Sequence, residues 1–490
     1  MEKVFDNPSK LESLVKQKYG FPEFIMMENA ALAIKNLILE QKPAPDAKCL
    51  ILCGKGNNGG DGYALARLIS GHLQPLLFTL EPPAASEAKA QYDMCRKMGI
   101  KFVSAAALSS MSPDFIVDCL YGTGFKGELS PKVQKIIDTA NKSKAIRIAC
   151  DIPTALAFDA HYTVTMGEHK LALFSDKAKQ VCGQIITAPL GVDPELFEKH
   201  LSPAAFLINS QDMKLPFRTN KAAHKGTYGH TAVMTGEKAG AAIICATAAM
   251  NFGSGLTSLI RCPDSNLVQF KISPELMISE PDAKGLPVIP AKTTCVVYGP
   301  GIQNVWGEDL VVIGEWFAKP SVKAPAAVFD AGVFGDVHFA DLLSILNLRP
   351  DARIVLTPHL LELTRLCNAL NIFPKLTVQE LADNPETKIK VGKKINSLLP
   401  NTTLVIKSAN TFIADKGQTY IITDGTPSLA KGGSGDVLAG LIASLLAQGY
   451  TPKDAAVTAC QAHALAAKKT GASTYALTPV KLIKAVSSLK

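Results

Sequence analysis

At 490 residues, with 47% hydrophobic and 19% charged side chains, the chain is globular in composition and too long for one ordinary core, so two domains are expected. Its 51 Lys and Arg against 43 Asp and Glu leave a net +8 without any dense basic run or aromatic–basic interleaving, which argues against nucleic acid as a partner. No apolar run reaches the roughly eighteen residues of a membrane span, the first residues lack a signal peptide's apolar core, and the 11 cysteines are scattered without a Cys-x-x-Cys pair. The expectation is a cytoplasmic protein with no membrane partner and no structural zinc.

From Lys48 onward short β-rich runs alternate with helical patterns, the rhythm of a parallel sheet covered on both faces. Strands are predicted at Cys49–Cys53, Gln74–Leu80, Phe115–Cys119, Ile146–Asp151, Tyr162–Met166 and Gln184–Ala188, with helices such as Gly62–Ser70 and Ser86–Met98 between them. This reads as a Rossmann-like domain. A second series opens with the strand His230–Thr235 and the helix Gly240–Phe252. It continues with strands at Leu256–Ile260, Thr294–Tyr298, Ala326–Phe329, Arg353–Leu356 and Leu404–Ile406, and ends in helices beginning near Ser434, Pro452 and Pro479. The polar stretch Ser202–Lys225, with Pro203 and Pro216, places the boundary near Lys214, giving domains 1–212 and 213–490.

The first site follows the strand ending at Cys53. There Gly54-Lys55-Gly56-Asn57-Asn58-Gly59-Gly60-Asp61-Gly62 contains a Gly-x-Gly-x-x-Gly run, and Glu81 ends the next strand. Alone, that pattern suits a nicotinamide-dependent oxidoreductase, whose glycines let backbone N–H groups meet a phosphate at a helix start. Asn57, Asn58 and Asp61 add oxygen ligands for a hard cation or hydrogen bonds for a polar ring. Asp118 and Asp151, each at a strand end, should converge with this run on one crevice, where open α/β sheets bind ligands.

With Met27-Glu28-Asn29-Ala30, the intact glycine run and the Asp118 loop, residues 1–200 resemble the epimerase family acting on hydrated nicotinamide dinucleotides. The resemblance implies a potassium ion on Asn58, Asp118 and Thr154. It implies substrate contacts from Asn57, Asn58, Gly59, Gly60 and Asp61, from the loop Gly122, Thr123, Gly124, Phe125, Lys126, Gly127 and Glu128, and from Asp151. The family's usual Asp-Ile-Pro-Ser-Gly reads Asp151-Ile152-Pro153-Thr154-Ala155 here, which keeps the hydroxyl and replaces the glycine.

The second site centres on Ala430-Lys431-Gly432-Gly433-Ser434-Gly435-Asp436, a glycine-rich loop opening a helix. Unpaired N–H groups at such a start form an anion hole, and Asp436 on the first turn can take a proton from a hydroxyl attacking phosphorus. Gly299-Pro300-Gly301 and Thr357-Pro358-His359 also follow strands. The order of these elements over about 222–490 resembles the ribokinase-like dehydratase family for hydrated NADH and NADPH. Carried over, Ala241, Gly301, His359 and Asp436 would contact the hydrated dinucleotide, while Lys407, Ser408, Ala409, Asn410, Thr411 and Gly435 would hold the adenine nucleotide. The family's Lys-Gly-Ala-x-Thr reads Lys407-Ser408-Ala409-Asn410-Thr411 in this chain.

The expected fold is therefore α/β throughout, a Rossmann-like parallel-sheet domain followed by a ribokinase-like one. The expected function is repair of hydrated NADH and NADPH, with Asp151 and Asp436 as the catalytic carboxylates of epimerase and dehydratase. Potassium, ADP or ATP as co-substrate, and Mg2+ are the expected cofactors, the hydrates are the small-molecule partners, and a homo-oligomer is implied by the family. The alternatives are a small-molecule kinase fused to a dinucleotide-binding domain, and a first domain that binds without catalysing. A kinase would release a stable phosphorylated product, whereas the dehydratase releases phosphate and restores a chromophore.

Overall fold

The run Lys48–Cys53 shows how the first unit is built. Successive strand residues point to opposite faces, and both sets here are apolar: Cys49, Ile51 and Cys53 join one buried cluster, Leu50 and Leu52 another. A strand apolar on both faces belongs inside a sheet covered twice. In the computed structural model, which describes residues 1–6 and 8–490, it is the third strand of a seven-stranded sheet, with a neighbour on each side. All pairs are parallel, in the order Lys101–Phe102, Gln74–Thr79, Lys48–Cys53, Phe115–Cys119, Ile146–Cys150, Tyr162–Met166, Gln184–Ala188. Helices Glu23–Glu40 and Asn57–Ile69 cover one face and Pro131–Asn141 the other. A separate parallel pair joins Glu2–Phe5 to His169–Lys170.

The chain divides into Lys3–Ala204 and Ala205–Lys490, the latter taking Met1–Glu2 as well. The division precedes the expected boundary because Ala205–Leu207, given by the sequence reading to the first domain, pairs with Gln418–Ile422 of the second. The Ile208 amide extends that pairing to the Ile421 carbonyl at 2.9 Å, and Phe206 stacks on Tyr420.

The second unit carries a sheet in the order Met277–Ser279, Leu256–Arg261, His230–Thr235, Cys295–Tyr298, Ala326–Phe329, Arg353–Leu356, Thr402–Ile406, Thr411–Asp415, Gln418–Ile422, Ala205–Leu207. Thr411–Asp415 runs antiparallel to both neighbours, and the other pairs are parallel. Helices Ala239–Asn251, Ser434–Ala447, Pro452–Lys469 and Pro479–Val486 pack on one core. The first two lie almost backbone to backbone, since a Cβ on Gly440 would stand 2.2 Å from the Cys245 carbonyl oxygen. That approach explains the run of small residues in Ala239–Asn251. All 11 cysteines are free and buried, and among the described residues no helix is long and apolar enough to cross a membrane.

Candidate active sites

In the first unit the helix after Cys53 begins at Asn57, earlier than the glycine run suggested. The glycines set how closely that helix meets the strands. A Cβ on Gly54 would fall 1.9 Å from the Leu120 carbonyl oxygen, one on Gly59 2.0 Å from that of Gly54, and one on Gly62 2.7 Å from Cys53 Sγ. This packing carries Asn57, Asn58 and Asp61 to the carboxyl end of the sheet. A cavity of about 780 Å³ opens there. Its lining includes Asn57, Asn58, Asp61, Gly122, Thr123, Gly124, Phe125, Lys126 and Asp151. Gly59 and Gly60 are buried in the helix below, and Gly127 and Glu128 are exposed beyond the lining. Tyr121 and Phe125 stack at 4.6 Å along this wall.

Asp118 is fully buried at its strand end. Its Oδ1 accepts from the Thr154 hydroxyl at 2.8 Å and the Leu120 amide at 3.1 Å, and its Oδ2 from the Thr154 amide at 2.8 Å. Burial raises its carboxyl to about 6 against the pull of these bonds. Asn58 Oδ1 and Nδ2 are buried without hydrogen-bond partners. No group of three or more His, Cys, Asp or Glu capable of holding a metal occurs among the described residues. An orphaned amide oxygen, a hydroxyl and one carboxylate instead suit a weakly charged hard cation. Ala155 takes φ +52, the left-handed backbone its family's glycine would adopt without strain.

Motif reading missed Glu12 and Lys16, from the helix Pro8–Tyr19, and Glu23 and Met26, from the next one; Met27 and Ala30, named only as part of the family motif, line the cavity beside them. Met27 fills the space over Gly60, whose Cβ would lie 2.4 Å from Met27 Cε, while Glu28 accepts from Gln91 at 2.6 Å and pairs with Arg67. The Met27–Ala30 motif thus braces the helix behind the glycine run. Lys170, buried in an ion pair with Asp151, carried no motif signal either.

In the second unit the helix Ser434–Ala447 starts from Gly433, whose φ is +89. Asp436 sits on its first turn. Burial, with the charge of Asp330, raises its carboxyl to about 6 while Lys407 pulls the other way. A Cβ on Gly435 would stand 3.5 Å from Lys407 Nζ and 3.8 Å from Asp330 Oδ2, so these groups share one locus. Lys407 Nζ donates to Asp330 Oδ1 at 2.6 Å and lies 4.0 Å from Glu362 Oε2. Asp330, at the end of Ala326–Phe329 and 2% exposed, also accepts from the Thr357 hydroxyl at 2.8 Å. Neither Asp330 nor this use of Glu362 was expected from sequence.

His359 caps the helix Leu360–Ala369. Its ring Nδ1 accepts from the Glu362 amide at 3.3 Å, its amide donates to Glu362 Oε2 at 2.9 Å, and its backbone bridges to Lys407. Gly301, at φ +76, abuts Ala241: its Cβ would be 3.3 Å from that of Ala241 and 2.2 Å from the Lys238 carbonyl oxygen. Lys407, Ser408, Ala409, Asn410 and Thr411 form the turn into Thr411–Asp415. In this turn Ser408 Oγ accepts from buried Lys388 and donates to the Asn410 carbonyl, both at 2.7 Å. The serine replacing the family's glycine is therefore tied into the turn.

The family described as NAD(P)H-hydrate dehydratase matches residues 231–488, more than half of the chain, and that described as YjeF-related protein N-terminus matches 23–172. The bifunctional NAD(P)H-hydrate repair enzyme Nnr of Helicobacter pylori is 36% identical over 501 residues, covering 100% of both chains. The enzyme of that name from Escherichia coli K12 is 31% identical over 443 residues, covering 86% of this chain and 81% of its own. A solved structure of the ADP/ATP-dependent NAD(P)H-hydrate dehydratase from Bacillus subtilis, co-crystallised with ATP/Mg2+, is 22% identical. It covers 55% of this chain and 91% of its own, with a TM-score of 0.43. With both family matches in one chain and a full-length relative at 36% identity, the chain belongs to the bifunctional NAD(P)H-hydrate repair enzymes.

Proposed function

We propose that the first unit interconverts the R and S hydrates of NADH and NADPH, and that the second dehydrates the S form at the expense of ADP, or of ATP. The observation that carries this reading is the position of Asp436, on the first turn of a glycine-opened helix beside Lys407, with its carboxyl raised to about 6. A base is most effective when its proton affinity lies near the working pH.

Asp436 takes the proton of the hydrate's hydroxyl as that oxygen attacks the terminal phosphorus. The bond from phosphorus to the nucleotide breaks, releasing AMP when the donor is ADP, and the N–H groups of Gly432, Gly433 and Gly435 would face the developing charge, the Ser434 amide being held by the Lys431 carbonyl at 3.1 Å. Phosphate then leaves the ring carbon, assisted by the nitrogen lone pair, and the neighbouring carbon gives up a proton as the double bond returns. Hydrate plus ADP becomes reduced dinucleotide, AMP and phosphate. We assign Ala241, Gly301 and His359 to the hydrate, and Lys407–Thr411 with Gly435 to the nucleotide. Mg2+ bound with the nucleotide would neutralise its phosphates.

In the first unit Asp151 carries the proton for inversion at the hydrated carbon. Asn58, Asp118 and Thr154 would hold potassium, to which the orphaned Asn58 amide and the adjoining Asp118 and Thr154 oxygens are suited. The ion would supply positive charge that orients the polar ring. Domains near the expected 1–212 and 213–490, a homo-oligomeric state and a cytoplasmic location complete the proposal.

The test incubates full-length protein with mixed epimers of hydrated NADH and each nucleotide while reduced-nicotinamide absorbance is followed. Absorbance should rise with ADP or ATP, and exchanging potassium for a bulky organic cation should slow consumption of the unaccepted epimer alone. No rise with any nucleotide would sink the reading.

A further inference from the structure

Behind the proposed proton carrier of the first unit stands a lysine that faces no ligand. Lys170 is 2% exposed, ends the short strand His169–Lys170, and donates from Nζ to Asp151 Oδ1. Burial alone would lower its hold on the proton. The carboxylates of Asp151, Glu168 and Glu12 outweigh that pull and hold it charged. Asp151 lines the cavity and Lys170 does not. The second carboxylate oxygen, Oδ2, accepts from the Thr123 amide at 3.2 Å, within the glycine loop of the cavity wall. Asp151 itself sits at φ +72, a value that a non-glycine residue keeps only where its surroundings over-determine it.

We infer that Lys170 is a positioning residue for epimerisation: from behind the cavity wall it locks Oδ1 of Asp151 and leaves Oδ2 toward the substrate as the proton-accepting oxygen. This rests on the reading that the first unit is an epimerase. The groups facing Asp151 are Lys170, Glu12, Asp61, Glu168 and the Cys150 thiol. Of these, Asp61 also lines the cavity, is met by Cys150 Sγ at 3.7 Å, and has its carboxyl pushed well above the usual carboxylate range by burial and by the charges of Asp151 and Glu12.

The two cavity carboxyls then divide the proton transfers. Asp61 protonates the hydrate's hydroxyl, which leaves as water while the ring nitrogen's lone pair forms a C=N bond. Water adds to the opposite face, the π pair returns to nitrogen, and the surplus proton passes to Asp151 Oδ2. Each carboxyl ends in the other's initial state, and proton exchange with solvent or a reverse turnover resets them.

The experiment compares full-length wild type, Lys170→Met and Lys170→Arg, following epimer exchange without nucleotide by chromatography. In Lys170→Met, exchange kcat should fall about 100-fold or more with KM little changed. Lys170→Arg should recover part of kcat. Wild-type kcat in Lys170→Met, or a loss carried by KM alone, would overturn the inference. Should Lys170→Met fail to fold, Lys170→Arg decides: lowered kcat at unchanged KM supports positioning, and wild-type kcat overturns it. Absence of exchange in the wild type would refute the underlying epimerase reading instead.

Discussion

Gly59→Ala separates two uses of a glycine run, admitting a phosphate or letting a helix abut a strand. An added Cβ would lie 2.0 Å from the Gly54 carbonyl oxygen and 2.8 Å from its carbon, both backbone atoms. Non-bonded carbon and oxygen keep about 3.3–3.6 Å apart, so the helix Asn57–Ile69 must retreat by roughly 1 Å or more. Overpacking costs about 1–3 kcal/mol, and a clash that no rotamer relieves belongs at the upper end. For a unit of this size about 1 kcal/mol corresponds to roughly 2–4 °C, so its melting should fall by roughly 6–12 °C. Epimer exchange should drop with it, because Asn57, Asn58 and Asp61 ride on the displaced turn. Gly56→Ala is the control, since its Cβ would meet nothing within 4 Å. Calorimetry with an exchange assay reads both, and a Gly59→Ala protein melting within about 2 °C of wild type would refute the packing argument.

Asp436→Asn should lower dehydration by roughly 10²–10⁴-fold while epimer exchange continues, measured by absorbance and by chromatography of the epimers. In the wild type the carboxyl at about 6 must be ionised to act, so dehydration should climb with pH through that value; a flat profile between pH ~5 and ~7 would count against Asp436 as the base. Ala155→Gly should stabilise the first unit by about 0.5–1 kcal/mol in denaturant titration by relieving the left-handed alanine. A fragment 205–490 should unfold at higher denaturant than 213–490, because only the longer one keeps the Ala205–Leu207 strand and buried Ile208; equal midpoints would restore the later boundary.

The parallel strands were legible because each is an apolar run between turn residues: Phe115–Cys119, Tyr162–Met166, His230–Thr235 and Ala326–Phe329 agree with the expectation to the residue. The hairpin Thr411–Asp415 and Gln418–Ile422 was not read. Its turn signal is only Lys416-Gly417, both at positive φ, next to a segment already assigned to a nucleotide. Two-residue strands such as Lys101–Phe102 are too short for any periodicity. At the sites, residues carried by glycine-rich motifs could be named in advance. Glu12, Lys170 and Asp330 could not, because each reaches its site from an element whose own pattern looks structural.

The cap made by His359 has a consequence for the imidazole itself. Because Nδ1 accepts the Glu362 amide proton, the ring's hydrogen resides on Nε2, which lies 3.1 Å from Glu362 Oε1. One tautomer is thereby selected by a helix terminus. In that tautomer the ring can offer a proton in a hydrogen bond to a carbonyl or phosphate oxygen but has no free lone pair for abstracting one. In the proposed contact with a bound dinucleotide, His359 would therefore act as a donor.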